Sequence, residues 1–179
     1  DMQMKYRVAL LMTLALSFSV KSECQLMTSQ QTVSYGTLSA AERQAAKEQD
    51  VELPERHLQL TVNCDKPQRV RLFFSSSLPK NNAFAFGSEG RMKVTAMNAV
   101  VDDREVLLTP VRLPESAITN AGNNRMAVTL DEGAAFVAGD EVSGQHFSLT
   151  LAVSSYFKNQ PVTEKMTYRG NLQIRVDAQ

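Results

Sequence analysis

Two cysteines and two histidines are the residues in this chain with the widest chemical reach. Cys24 and Cys64 suit either a disulfide in an oxidising compartment or a pair of buried thiols. Two cysteines need histidine partners to complete a structural zinc site. His57 and His146 have no second histidine at ligand spacing, and a copper or zinc enzyme on a β framework needs several. Asp102 and Asp103 are a carboxylate pair suited in principle to acid–base work or to calcium. Neighbours at a strand end point in different directions, so a solvated turn is the better reading of that pair. No serine lies in a G-x-S-x-G elbow. Gly87-Ser88-Glu89-Gly90 lacks the lysine and spacing of a phosphate loop, and reads as a turn. The expectation is a protein with no catalytic residues, no metal and no cofactor.

The compartment follows from the N-terminus. Lys5 and Arg7 precede residues 8–20, which are apolar apart from Thr13, Ser17 and Ser19. Lys21 breaks the run, and Val20-Lys21-Ser22 puts a small residue where signal peptidase cuts. This is the layout of a secretory signal peptide. The run is too short to cross roughly 30 Å of hydrocarbon as a helix. The segment 1–22 is therefore read as a signal peptide and 23–179 as the mature domain. Export places Cys24 and Cys64 in an oxidising environment, where they are expected to pair. Nineteen basic and nineteen acidic residues balance, so no electrostatic footprint for nucleic acid is present.

The elements that must position these residues alternate with period two. Leu58, Leu60, Val62 and Cys64 alternate with polar neighbours, as do Met92, Val94 and Ala96, and Met126, Val128 and Leu130. Phe147, Leu149, Leu151 and Val153 repeat the pattern, and Leu172, Ile174 and Val176 close it. Each run predicts a half-buried strand. Fainter strand signals cover residues 32–35, 69–74 and 105–111. Turn residues separate the runs at Asp65-Lys66-Pro67, Asp102-Asp103, residues 120–124 and Gly139-Asp140. Seven or eight short strands predict an all-β sandwich, with a Greek-key barrel as the alternative. Ser39-Ala40-Ala41-Glu42 is a capping box, and residues 43–49 favour a short helix in the first crossover, ended by Pro54. The mixed charges of residues 42–55 read as a solvated face.

In this order the features resemble subunits of chaperone–usher fimbriae, and more narrowly single-domain fimbrial-like proteins of Gram-negative bacteria. The matching elements are Cys24 just after the signal, Val33-Ser34-Tyr35-Gly36, and Leu58-Gln59-Leu60-Thr61-Val62-Asn63-Cys64. Phe84-Ala85-Phe86-Gly87 with Gly90, Val101-Asp102-Asp103 and Gly170-Asn171-Leu172-Gln173-Ile174-Arg175-Val176 follow. The likeness spans most of the mature chain through short motifs.

The resemblance implies an immunoglobulin-like β-sandwich of the pilin type that lacks its final strand. A periplasmic fimbrial chaperone fills the gap first, then an outer-membrane usher passes the subunit to a neighbouring fimbrial subunit whose N-terminal extension replaces the chaperone. Leu172, Ile174 and Val176 would form the chaperone-facing final strand. The location implied is the periplasm in transit and then the cell surface. Two features depart from the family. Polymerising subunits carry a donor tail before the first cysteine, whereas cleavage after Ser22 leaves only Glu23. Such a subunit accepts a strand and has none to donate, which places it at a fibre end or outside a fibre. Pilins also commonly have a tyrosine next to the last position, where this chain has Ala178. The rival reading is a complete, free-standing β-sandwich module that binds a glycan or protein receptor.

Overall fold

A computed structural model of the chain describes residues 23–28, 34–38, 50–76, 84–86, 90–158, 166–169 and 172–179. The expected signal peptide, the capping box and the short helix of the first crossover lie outside these residues, as do Gly87, Ser88 and Glu89. The described residues are all β, with no helix among them. The strands are β1 (Cys24–Thr28), β2 (Ser34–Leu38), β3 (Asp50–Glu52), β4 (Arg56–Ser75), β5 (Phe84–Phe86), β6 (Gly90–Val101) and β7 (Arg104–Glu105). They continue as β8 (Leu107–Val111), β9 (Arg125–Val128), β10 (Gly133–Ala138), β11 (Asp140–Glu141), β12 (Ser143–Lys158), β13 (Met166–Arg169) and β14 (Gln173–Ala178).

Strand β4 organises the fold. Its alternating apolar residues Leu58, Leu60 and Val62 stay in phase with Val70, Leu72 and Phe74 further along. One face of a single long strand therefore looks inward on either side of residues 65–69. The first half lies between β1 and β12, with β6 on the far side of β12. The second half lies between β14 and β10, with β8 beyond β10. These strands belong to one 12-stranded, nearly closed sheet that β4 runs through and that encloses one core. Phe136 of β10 meets Phe147 of β12 edge-to-face in that core, with ring centroids 5.1 Å apart. Strands β2 and β13 form a separate two-stranded ladder.

The turn expected at Asp65-Lys66-Pro67 is an excursion within β4. The ladder to β12 breaks after Asn63–His146 and resumes at Gln68–Gly144. The polar, proline-containing stretch carries the strand from one half of the sheet into the other without ending it. Bulges and register breaks of this kind are how a strand turns a sheet corner.

Strand β10 is buried on both faces. Ala134 and Phe136 point into the main core, while Ala135 packs with Phe73, Val111 and Ile118 in a second cluster. Ile118 belongs to the connection between β8 and β9, which covers the outer face of β10 at Ala135. Beside it, Arg71 and Glu141 form a bidentate ion pair, with both contacts at 3.0 Å and each side chain 8% exposed. The remaining Arg71 nitrogen donates to the Leu113 carbonyl at 3.1 Å, which ties the connection down.

Candidate functional site: the seam between the first and last strands

Cys24 and Cys64 are bonded, with their Cα atoms 4.1 Å apart and a sequence separation of 40. They stand directly opposite each other in the β1–β4 ladder. The close Cα spacing is that of a non-hydrogen-bonded antiparallel pair. The neighbouring pair is Glu23 and Asp65, where the Asp65 amide donates to the Glu23 carbonyl at 3.1 Å and the Glu23 amide to Asp65 Oδ1 at 3.0 Å. By the alternation of an antiparallel ladder, the amides of Cys24, Leu26 and Thr28 point away from β4.

The last strand has the same disposition. Gln179 and Arg69 exchange both main-chain hydrogen bonds, at 2.8 and 2.9 Å. Two-residue alternation then directs Gln173, Arg175 and Asp177 toward β4, and the amides of Ile174, Val176 and Ala178 toward the opposite edge. Arg69 pairs with Ser143 of β12 on its other side, so β14 and β1 both lie on the side of β4 away from β12. They do not pair with each other, and among the described residues no strand pairs with the outer edge of either.

Burial separates this edge from the central strands. Inward residues of the central strands, such as Leu60, Val62, Leu72 and Leu151, are at most 1% exposed. Cys24 and Leu26 of β1, together with Leu172, Ile174, Val176 and Ala178, pack against the same core but are only partly buried. The core therefore reaches solvent along a seam between β1 and β14. Of Leu172, Ile174 and Val176, expected from the sequence as a terminal strand, Ile174 and Val176 lie in β14 and Leu172 immediately precedes it. Sequence reasoning did not anticipate that β1 forms the other lip. The signal available was the short alternation of Cys24, Leu26 and Thr28 beside Gln25 and Met27.

A cluster of polar contacts holds the corner of β4 where the seam begins. Asp102 and Asp103 form a turn with φ of 47° and 64°, the left-handed region that aspartate tolerates better than most residues. The Asp102 carboxylate accepts the amides of His146 at 2.9 Å and Gln145 at 3.1 Å. The His146 amide bond is the main cause of a carboxyl pKa held below its ordinary 3.8. Gln145 Nε2 donates to the Asp65 carbonyl at 3.1 Å, and His146 Nδ1 lies 2.8 Å from Asn63 Oδ1. Gly144 allows this approach, because a Cβ there would lie 2.5 Å from Val101 Cγ1. His57 is exposed and contacts Glu55 Oε1 at 2.7 Å, away from His146. Asp102 and Gln145 thus hold the backbone at this corner. No group of three or more metal-ligating side chains occurs among the described residues.

No family model matches the chain. The uncharacterized protein YhcE of Escherichia coli (strain K12) is 27% identical over 167 residues, which cover 90% of this chain and 92% of that protein. Among solved structures, the P pilus rod subunit PapA overlaps with a TM-score of 0.44 at 11% identity, covering 87% of this chain and 99% of that chain.

Proposed function

We propose that the protein is an exported subunit of a chaperone–usher fimbria, folded as a pilin-type, immunoglobulin-like sandwich and completed by a strand from a partner. It acts by assembly and not by catalysis. The observation that carries this reading is the seam, where partly buried apolar side chains and outward-pointing amides lie along the same two strands. An added strand would bond to those amides while its alternate side chains cover Leu26, Ile174 and Val176, which is β-augmentation. Fully burying one such aliphatic chain contributes about 1.5–3 kcal/mol, so covering the exposed part of several stabilises substantially. The donors proposed are a periplasmic chaperone in transit and a neighbouring subunit at the cell surface. If the chain is cleaved after Ser22, Glu23 is engaged with Asp65 and β1 starts at once, so no segment is left to donate. Such a subunit would sit at the fibre tip.

The test is periplasmic expression of residues 23–179 with and without a fimbrial chaperone. Recovery of a stable complex with the chaperone, and aggregation without it, is the expected result, since an exposed edge beside apolar surface associates. A soluble, monodisperse monomer with a cooperative melt in the absence of any partner would instead indicate a complete β-sandwich module.

A further inference from the structure

On the flank of β6 away from β12, where β7 and β9 pair with that strand and meet the end of β10, lies a cleft of about 750 Å³. That volume is within the range of small-molecule sites. Its floor includes Ala99 and Val137, both buried, with Leu107 half-buried beside them. Glu105 and Arg125 stand exposed on its rim. Among the described residues, neither side chain has a hydrogen-bond or ion-pair partner, and the two do not pair with each other.

A backbone irregularity places these two charges. Ser148 pairs with Val100 and Thr150 with Met97, so Asn98 and Ala99 together stand opposite Leu149. This is a β-bulge, and Asn98 adopts φ of 54° within it. Ala96, Ala99 and Val101 belong to the core, which leaves Met97 and Val100 on the outer face. Glu105 lies opposite Val100 and Arg125 opposite Met97, on the same flank of β6. Residues directly opposite in a ladder share a face, so both charges sit on the outer one. A regular strand would put positions 97 and 100 on opposite faces. The extra residue brings them to one face, two ladder positions apart, a spacing of roughly 7 Å along the strand. The bulge thus sets an unpaired anion and an unpaired cation side by side on one cleft.

We propose that this cleft binds a free α-amino acid with an apolar side chain. A net anion would face Glu105 and a net cation would face Arg125, whereas a zwitterion satisfies both. The Arg125 guanidinium donates through a planar fork that matches a carboxylate. Glu105 accepts from the ammonium, and the ligand side chain lies on the Ala99 and Val137 floor. The site does not require a strand in the seam. Amide signals of β1 and β14 report on the seam separately from those of the cleft.

The experiment is an NMR titration of the labelled protein, isolated from the periplasm in whatever assembly it forms. The probes are L-leucine and L-phenylalanine at millimolar concentration. Their N-acetyl derivatives, which lack the ammonium, and their amides, which lack the carboxylate, are the matched controls. At least one of the two amino acids is expected to shift the amides of Ala99, Leu107 and Val137. Each of its derivatives should bind about tenfold more weakly, as expected when a charge-assisted hydrogen bond is lost. Arg125→Gln should erase the preference over the amide, and Glu105→Gln the preference over the N-acetyl derivative, with the melting temperature preserved. Derivatives that bind as tightly as the amino acid, preferences that survive both substitutions, shifts confined to other surfaces, or no shift with any probe would overturn the proposal.

Discussion

Glu23 and Gln179 dock on the same strand, on either side of its bend: Glu23 pairs with Asp65 and Gln179 with Arg69. From those two points β1 runs back along the first half of β4 and β14 along the second. The two edge strands therefore extend in opposite directions from this bend, touching but not pairing with each other among the described residues. A single 20-residue strand thus carries both edge strands.

The disulfide pins the first of these contacts. Replacing Cys24 and Cys64 by alanine, or reducing the bond, should lower stability by about 2–4 kcal/mol, as expected for cross-linking a loop of this size. Urea unfolding of the oxidised and reduced protein measures the difference. Equal midpoints would show that the bond does not constrain the chain.

The Arg71–Glu141 pair gives a sharper signature. Removing one partner leaves a buried charge without compensation, so Arg71→Met or Glu141→Gln should each destabilise by about 3–5 kcal/mol. Replacing both with apolar residues should cost less than either single change. Denaturation of the three variants checks this ordering. Additive losses would mean that the two side chains act independently.

Asp102 predicts a pH dependence with a definite sign. Its folded pKa lies below the unfolded value near 3.8 because the His146 and Gln145 amides bond to the carboxylate. The stabilisation is therefore complete above that unfolded value and is lost as pH falls through the folded one. Asp102→Asn preserves a residue type that tolerates positive φ but removes the charge. Wild type should exceed this variant in melting temperature at neutral pH, and the gap should close in strong acid. A gap that persists unchanged at low pH would exclude the carboxylate as its source.

Much of the fold is legible in the sequence, and what is hidden has physical reasons. Leu58, Leu60 and Val62, and Phe147 through Val153 at every second position, are buried as their alternation predicts. Local pattern sufficed there because one face of each strand meets solvent. Strand β10 escaped that logic. Its run Ala134-Ala135-Phe136-Val137 does not alternate, because the β8–β9 connection covers its outer face. The apolar run between Gly133 and Gly139 was the available signal. The Arg71–Glu141 pair was invisible because its members are brought together only by the β4–β10–β11 arrangement. At the seam, alternation located Ile174 and Val176 but could not show that their burial stays partial. That depends on which strand lies beside them, and no residue of β14 encodes it.

The most direct measurement is amide hydrogen exchange along β1 and β14, before and after a chaperone or donor strand is bound. Ile174, Val176, Ala178 and Leu26 should exchange fast in the uncomplemented chain, and Arg175 and Asp177, bonded to β4, more slowly. Binding should then protect the outward amides selectively. Protection of Ile174, Val176 and Ala178 in the isolated chain, unchanged by any added strand, would contradict the open seam and the function proposed from it.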